Sequence, residues 1–195
     1  MRTVTLIIIH FLLFIAISGN LCFSEEMPST VRVRILDAHN PSSLVIETDK
    51  GKVFLPDGIS VFSGECRIAL SGQALIYQKD GKHGSADMIR IEADRICVMH
   101  KECGKRTYRG AVEIYPDGKK LLVINESPFE EYVHGAAVSE SGELLEADKS
   151  AAAGWEKEFL SAMEICIRSY VVSNGRRHAD RRYSFCDLTH CVHFS

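Results

Sequence analysis

Turn signals cut this chain at short intervals, and the pieces between them are too short for helices. Asp49-Lys50-Gly51-Lys52, Pro56-Asp57-Gly58 and Lys79-Asp80-Gly81-Lys82 each join Gly to Asp or Pro, residues that supply or preset the backbone angles of tight turns. Between the turns, apolar and polar residues alternate. Val31, Val33 and Ile35 are interleaved with Arg32 and Arg34, the period-2 pattern of a half-buried strand. Runs at Leu44–Ile46, Val53–Leu55, Ile59–Phe62, Cys66–Leu70, Ala74–Tyr77, Met88–Ile91 and Ile96–Met99 continue the series. The spacing predicts a small β-rich unit over residues 25–105. His83, His100 and Cys103 are of metal-ligating type, but nothing in their spacing joins them, and isolated surface positions explain them as well.

From Arg106 the pattern changes. Tyr108–Tyr115 alternates, Asp117-Gly118 turns the chain, and Leu121–Ile124 returns, which reads as a hairpin. Ser127, Pro128 and Glu130 then have the order of a helix cap, a first helical residue and a capping box, predicting a short helix from about Pro128 to Ala137. Beyond an Ala/Glu/Lys-rich piece, Phe159, Met163, Cys166 and Tyr170 recur at helical spacing, widened by Leu160, Ile167 and Val171, and predict one buried stripe on a longer helix that ends at Gly175. Glu164 and Arg168 fall four apart on it, a routine pair on a helix surface. The expected fold class is α+β, with the β-rich unit followed by a second unit over residues 106–195.

Residues 1–24 read as a signal peptide. Arg2 supplies the positive start and Val4–Ile17 an apolar run shorter than a bilayer span. Cleavage near Gly19 or Ser24 and export to the periplasm or cell envelope are expected, with no membrane span afterwards. A lipid anchor at Cys22 is an alternative that the bulky Leu21 before it disfavours. An exported chain is allowed disulfides, and six cysteines follow Cys22. A net charge of -3 gives no electrostatic reason to expect nucleic acid as a partner.

Several pieces of the second unit resemble the SpoIID/LytB family, which comprises stage II sporulation protein D and the amidase enhancer LytB. Tyr108-Arg109-Gly110 is similar to the family's YRG opening strand. Val123–Gly135, VINESPFEEYVHG, resembles VNELPLEEYLYG. Val138-Ser139-Glu140 stands where the family has PSEM. Leu160–Tyr170, LSAMEICIRSY, resembles LKAQAVAARTY, and Cys186–Cys191, CDLTHC, resembles CDTTHC. The resemblance covers the N-terminal half of that domain, so the second unit is expected to be a C-terminally truncated form of it.

The resemblance implies an exported protein acting on peptidoglycan glycan strands by lytic transglycosylase-like cleavage, with Glu140 as the single catalytic acid and base. It also implies that Arg168 and Tyr170 bind the sugar. On the predicted short helix, Glu140 would follow the C-terminal end, where the helix dipole disfavours a carboxylate and raises its pKa. For each of these residues a plain alternative stands. Glu140 as a solvated loop carboxylate, Arg168 as a salt-bridge partner and Tyr170 as core fit the same sequence. His178, Cys186, His190 and Cys191 have the ligand types of a closed tetrahedral site, and the resemblance implies structural Zn2+ there. A Cys186–Cys191 disulfide or two thiols fit the residues as well. The second functional reading is a non-catalytic peptidoglycan-binding amidase enhancer, with a cell-wall amidase as partner, or a degenerate paralogue.

Overall fold

The structure, a computed structural model, describes residues 27–56, 58–147, 155–175, 177–178, 180–188, 191–192 and 194, without the side chains of 143–147. The expected signal peptide and Cys22 lie outside the described residues. Among the described residues no helix is long and apolar enough to cross a membrane.

The strands are β1 (Thr30–Ile35), β2 (Ser43–Leu55), β3 (Gly58–Ser71), β4 (Ala74–Lys79), β5 (Lys82–Ala86), β6 (Ile89–His100), β7 (Gly104–Asp117), β8 (Lys120–Pro128) and β9 (Phe185–Cys186). The helices are α1 (Phe129–Ala147) and α2 (Trp155–Asn174). The class is mixed α+β. The strands form a 9-stranded sheet in the order β5-β4-β3-β2-β6-β7-β8-β1-β9. All neighbours are antiparallel except β1 and β9, which run parallel.

Three pairs of expected short strands are each one long strand. Leu44–Ile46 and Val53–Leu55 belong to β2, so Asp49–Lys52 is not a turn but part of the strand; Ile59–Phe62 and Cys66–Leu70 belong to β3, and Ile89–Ile91 and Ile96–Met99 to β6. The apolar alternation breaks in the middle of β6 because the β6–β7 register shifts between Ala93 and Ile96. Such a bulge reverses which residues face inward without ending the strand. A second shift, between Thr48 and Gly51 of β2, lies beside it, and the Thr48 hydroxyl donates to the Arg95 carbonyl at 2.9 Å.

The boundary expected between residues 105 and 106 falls inside β7, and sheet and core continue across it. One buried cluster runs from Phe62 and Leu75 to Tyr132, Ile167 and Phe185. The chain crosses the boundary twice. β1, from the first unit, pairs with β8 (Val33 opposite Asn125) and with β9 (Val33 beside Phe185).

The helices also differ from expectation. Ser127 does not cap α1. It lies in β8 opposite Val31, and the ladder runs on to Pro128 before the helix starts at Phe129. Glu130 turns to Arg168 rather than back to the cap. α1 continues well past Ala137, and Gly142 does not stop it. On α2 the buried residues are Ile167 and Val171, whereas Cys166 is exposed. Ile167 and Val171, at the flank of the expected stripe, are thus its innermost residues, and Cys166 is the member that faces out.

On the other face of the sheet, four charged side chains tie β1, β6, β7 and β8 together. Arg32 reaches Glu113 and Glu126, each at 2.6 Å. Arg90 contacts Glu113 and meets Glu126 at 3.0 Å, and the Tyr115 hydroxyl donates to Glu113 at 2.8 Å. Burial pushes the Glu113 carboxyl up, but hydrogen bonds from Arg32 and Tyr115 and the charge of Arg32 outweigh it and bring it down from 4.5 to about 2. A hydrogen bond from Arg90, working against burial, lowers Glu126 as well. Both carboxylates therefore bind protons less readily folded than unfolded. The stability they add is complete above the unfolded value and is lost as pH falls through the folded one. Thermal melts are expected to hold their midpoint down to about pH 5 and to fall steadily below it. Glu113→Gln is expected to lower the neutral-pH midpoint and to flatten the acid limb. An unchanged acid limb in that variant would place the acid sensitivity elsewhere.

Candidate functional site

α1 and α2 lie side by side and antiparallel. Glu130 of α1 takes Arg168 of α2 in a two-pronged pair (2.6 and 3.3 Å), and His134 meets Glu164 at 2.8 Å. Glu164 and Arg168 thus each face the other helix rather than one another. Exposed pairs of this kind add little stability but fix register. The apolar seam beneath them holds Val133, Ala136, Ala137, Ile167 and Val171.

Glu140 lies within α1, which runs on to Ala147, so it does not follow the helix end and the dipole argument made from sequence does not apply. Its side chain is exposed, while its neighbour Ser141 is fully buried. Arg168 is not brought to it. The guanidinium is held at Glu130, and an α-helix rises roughly 15 Å over the distance from Glu130 to Glu140. The Tyr170 hydroxyl accepts from Arg177 at 3.1 Å, and its half-buried ring lies 5.8 Å from that of Phe185.

Three of the four expected metal ligands do come together. One donor atom each from His178, Cys186 and Cys191 lies within 4.8 Å of the others. The thiols stand 3.6 Å apart, and Cys191 Sγ is 3.4 Å from His178 Nε2. His190 lies outside the described residues. A disulfide requires about 2.05 Å between sulfurs. Ligands of one tetrahedral zinc, with Zn–S about 2.3 Å and Zn–N about 2.0 Å, stand roughly 3.6–3.8 Å apart. The residues present therefore fit a Cys/His metal site. Burial, with the hydrogen bond to Cys191 and nearby negative charge adding to it, pushes the Cys186 thiol up to about 12. A cation is what such a thiol needs to ionise.

The cluster is built from the chain's last segment folding back on β1. The Ser184 and Asp187 amides donate to the carbonyls of Arg32 and Arg34, both at 2.9 Å. Asp187, inside CDLTHC, accepts from the Leu36 and Asp37 amides at 2.7 and 3.2 Å and so holds the turn after β1. The sequence offered no sign of this role, because its partners lie some 150 residues away. Phe194 packs on α1, with its ring 4.9 Å from that of Tyr132. Gly135 makes room for it, since a Cβ there would stand 2.9 Å from the Phe194 ring.

Tyr132 joins the helix to the cluster. It is fully buried and stacks 6.1 Å from Phe185, and no hydrogen-bond partner is found for its hydroxyl among the described residues. Burial raises its pKa first, and the charges of Cys191, Tyr170, Cys186 and Glu140 add to that. Glu140 is therefore electrostatically within reach of the same buried hydroxyl as the two thiols.

Cavities open on the sheet in several places. One of about 780 Å³ is lined by Lys50, Lys52, Glu92, Asp94, Arg109 and Glu131 among others. One of about 600 Å³ lies between Arg67, Ile76, Tyr77, His83, Met99 and His100. Glu140 lines neither.

Residues 117–195 match a protein-family model described as SpoIID: Stage II sporulation protein. The match begins in the turn between β7 and β8 and takes in both helices and the Cys/His cluster. No curated protein and no solved structure matches the chain.

Proposed function

We propose, from the match of residues 117–195 to the SpoIID family model, a family tied to sporulation and the cell wall, that the chain is an exported protein acting on the glycan strands of peptidoglycan. The observation that carries this reading is the convergence of His178, Cys186 and Cys191 beneath α1, the helix that bears Glu140. It gives the matched region a fixed frame under the position that resembles the family's acid.

In this reading Glu140 works alone. Its protonated carboxyl donates to the glycosidic oxygen as the bond to the muramic-acid C1 breaks. The resulting carboxylate then accepts the proton of the sugar's 6-hydroxyl, whose oxygen closes on C1 to form the anhydro ring. One group thus serves as acid and then as base, and no water is consumed. Bound glycan covers the exposed Glu140 and strips water from the carboxyl, which favours its neutral form. Tyr132 supports this end of α1 from below. His178, Cys186 and Cys191, with His190, are the residues that would hold zinc. Zinc held there would supply the charge that ionises the thiols and would tie the C-terminal segment to α1.

A second reading, binding without cleavage, is favoured by the separation of Glu140 from Arg168, whose guanidinium is held at Glu130. Digestion of purified sacculi separates the two. The first reading expects anhydro-muropeptides by mass spectrometry, reduced at least about 100-fold by Glu140→Gln. Sacculus binding with no released product establishes the second. Equal product from both chains removes Glu140 from the chemistry.

A further inference from the structure

A second group of metal-ligating side chains lies outside the family-matched region. His39 ends the short 3-10 turn Asp37–His39 after β1, His100 ends β6, and Glu102 lies in the turn that leads into β7. One donor atom from each lies within 4.8 Å of the others. The two rings stand 5.9 Å apart. His39 Nδ1 is 3.5 Å from a Glu102 carboxylate oxygen, and the Glu102 amide donates to His100 Nδ1 at 3.5 Å.

The backbone that carries these residues is held from several sides. Leu36 and Asn40, at φ 60 and 43, bracket the 3-10 turn. The Asn40 side chain accepts from Lys120 at 3.0 Å, and the Leu121 amide donates to the Pro41 carbonyl at 2.7 Å. Asp187 holds the start of the turn. His39 is thus kept by the fold beside His100 and Glu102, some 60 positions later in the sequence.

We propose that His39, His100 and Glu102 bind a divalent first-row transition metal ion of the zinc class. Two imidazoles and one carboxylate are the donors such ions take, whereas magnesium and calcium prefer oxygen alone. Lys101, exposed between His100 and Glu102 in sequence, opposes a cation, and the Glu102 carboxylate offsets it. Ligands of one ion at about 2.0–2.2 Å stand roughly 3–3.5 Å apart, closer than the full spread here. The Glu102 side chain is 54% exposed and free to close that gap. Three protein ligands leave a position for water or an outside donor. His100 also lines the cavity of about 600 Å³ beside Tyr77 and His83, so that donor has room to enter.

The site contains no sulfur, which separates it from the Cys/His cluster. Zinc is titrated by calorimetry into the full chain and into Cys186→Ser, His39→Gln and Glu102→Gln. A zinc-binding event is expected to survive Cys186→Ser and to weaken at least about tenfold in Kd, about 1.4 kcal/mol, in each of the other two. In the wild type, Co2+ is expected to add d–d absorption with no thiolate charge-transfer band for this site, so the result does not depend on Cys186→Ser folding. Cobalt absorption that always carries the thiolate band overturns the proposal, as does wild-type affinity in Glu102→Gln.

Discussion

Gly110→Val is expected to destabilise the fold by about 4 kcal/mol or more, read as a lowered thermal midpoint. Gly110 sits in β7 with φ +85, a region that L side chains rarely enter. A Cβ there would stand 2.3 Å from the Glu126 carbonyl oxygen and 3.0 Å from the Pro128 ring. Neither neighbour can give way cheaply. Ala111 is paired with Glu126 in the β7–β8 ladder, and Pro128 closes β8 opposite Thr30 of β1. The backbone strain alone costs about 1–3 kcal/mol, and relieving the clash means opening the ladder beside the Glu126–Arg90 pair. Together these reach about 4 kcal/mol or more, against a typical total stability of about 5–15 kcal/mol. Gly118 is the control. It has φ +65 but nothing within 4 Å of its Cβ position, so Gly118→Ala carries the strain without the clash and is expected to cost about 1 kcal/mol. Equal thermal melts for Gly110→Ala and Gly118→Ala would show that the close approach to β8 has no energetic weight.

Chelation is expected to have the next largest effect. If His178, Cys186 and Cys191 hold zinc, the ion binds the folded chain alone, and its binding energy adds to folding. At free zinc about 1,000-fold above its Kd this is about 4 kcal/mol, or roughly 8–16 °C in melting midpoint for a chain of this length. A strong chelator is expected to lower the midpoint by that amount at neutral pH, and thiol reductant alone to leave it unchanged. The reverse pattern would assign the pair to a disulfide. Cys186→Ser is expected to melt low with or without chelator, because one ligand is already gone.

The sequence conveyed the local pieces of this fold well. Alternation placed β1, β4, β7 and β8, and Asp117-Gly118 marked the β7–β8 turn. It failed where a local signal had a distant competitor. Ser127-Pro128-Glu130 has the order of a helix cap, yet Val31 across the sheet claims Ser127 for a strand. Glu164 and Arg168 have the spacing of a surface pair, yet a second helix offers His134 and Glu130. Ile167 and Val171, at the flank of the expected stripe, lie innermost and Cys166 faces out because α2 packs against α1 and the C-terminal segment, and spacing alone does not tell where the centre of the stripe falls. At the candidate site, residue types were enough to bring His178, Cys186 and Cys191 together. They did not reveal that α1 continues beneath Glu140, nor that Tyr132 and Asp187 join the cluster to α1 and to the turn after β1.

The place of β1 between β8 and β9 has a consequence for how the chain acquires its structure. The strand made first takes partners about 95 and 150 positions later, so its pairing must wait until nearly the whole chain is available. Contacts of such long sequence separation make folding slow. An N-terminal piece made before residues 120–186 would carry β1 with one edge open to each missing neighbour. A fragment covering only residues 117–195 would expose the matching edges of β8 and β9, the situation in which strands pair with the wrong chain. The family-matched region is therefore not expected to be an autonomous folding unit, and the earliest strand of the protein serves as the last joint to close.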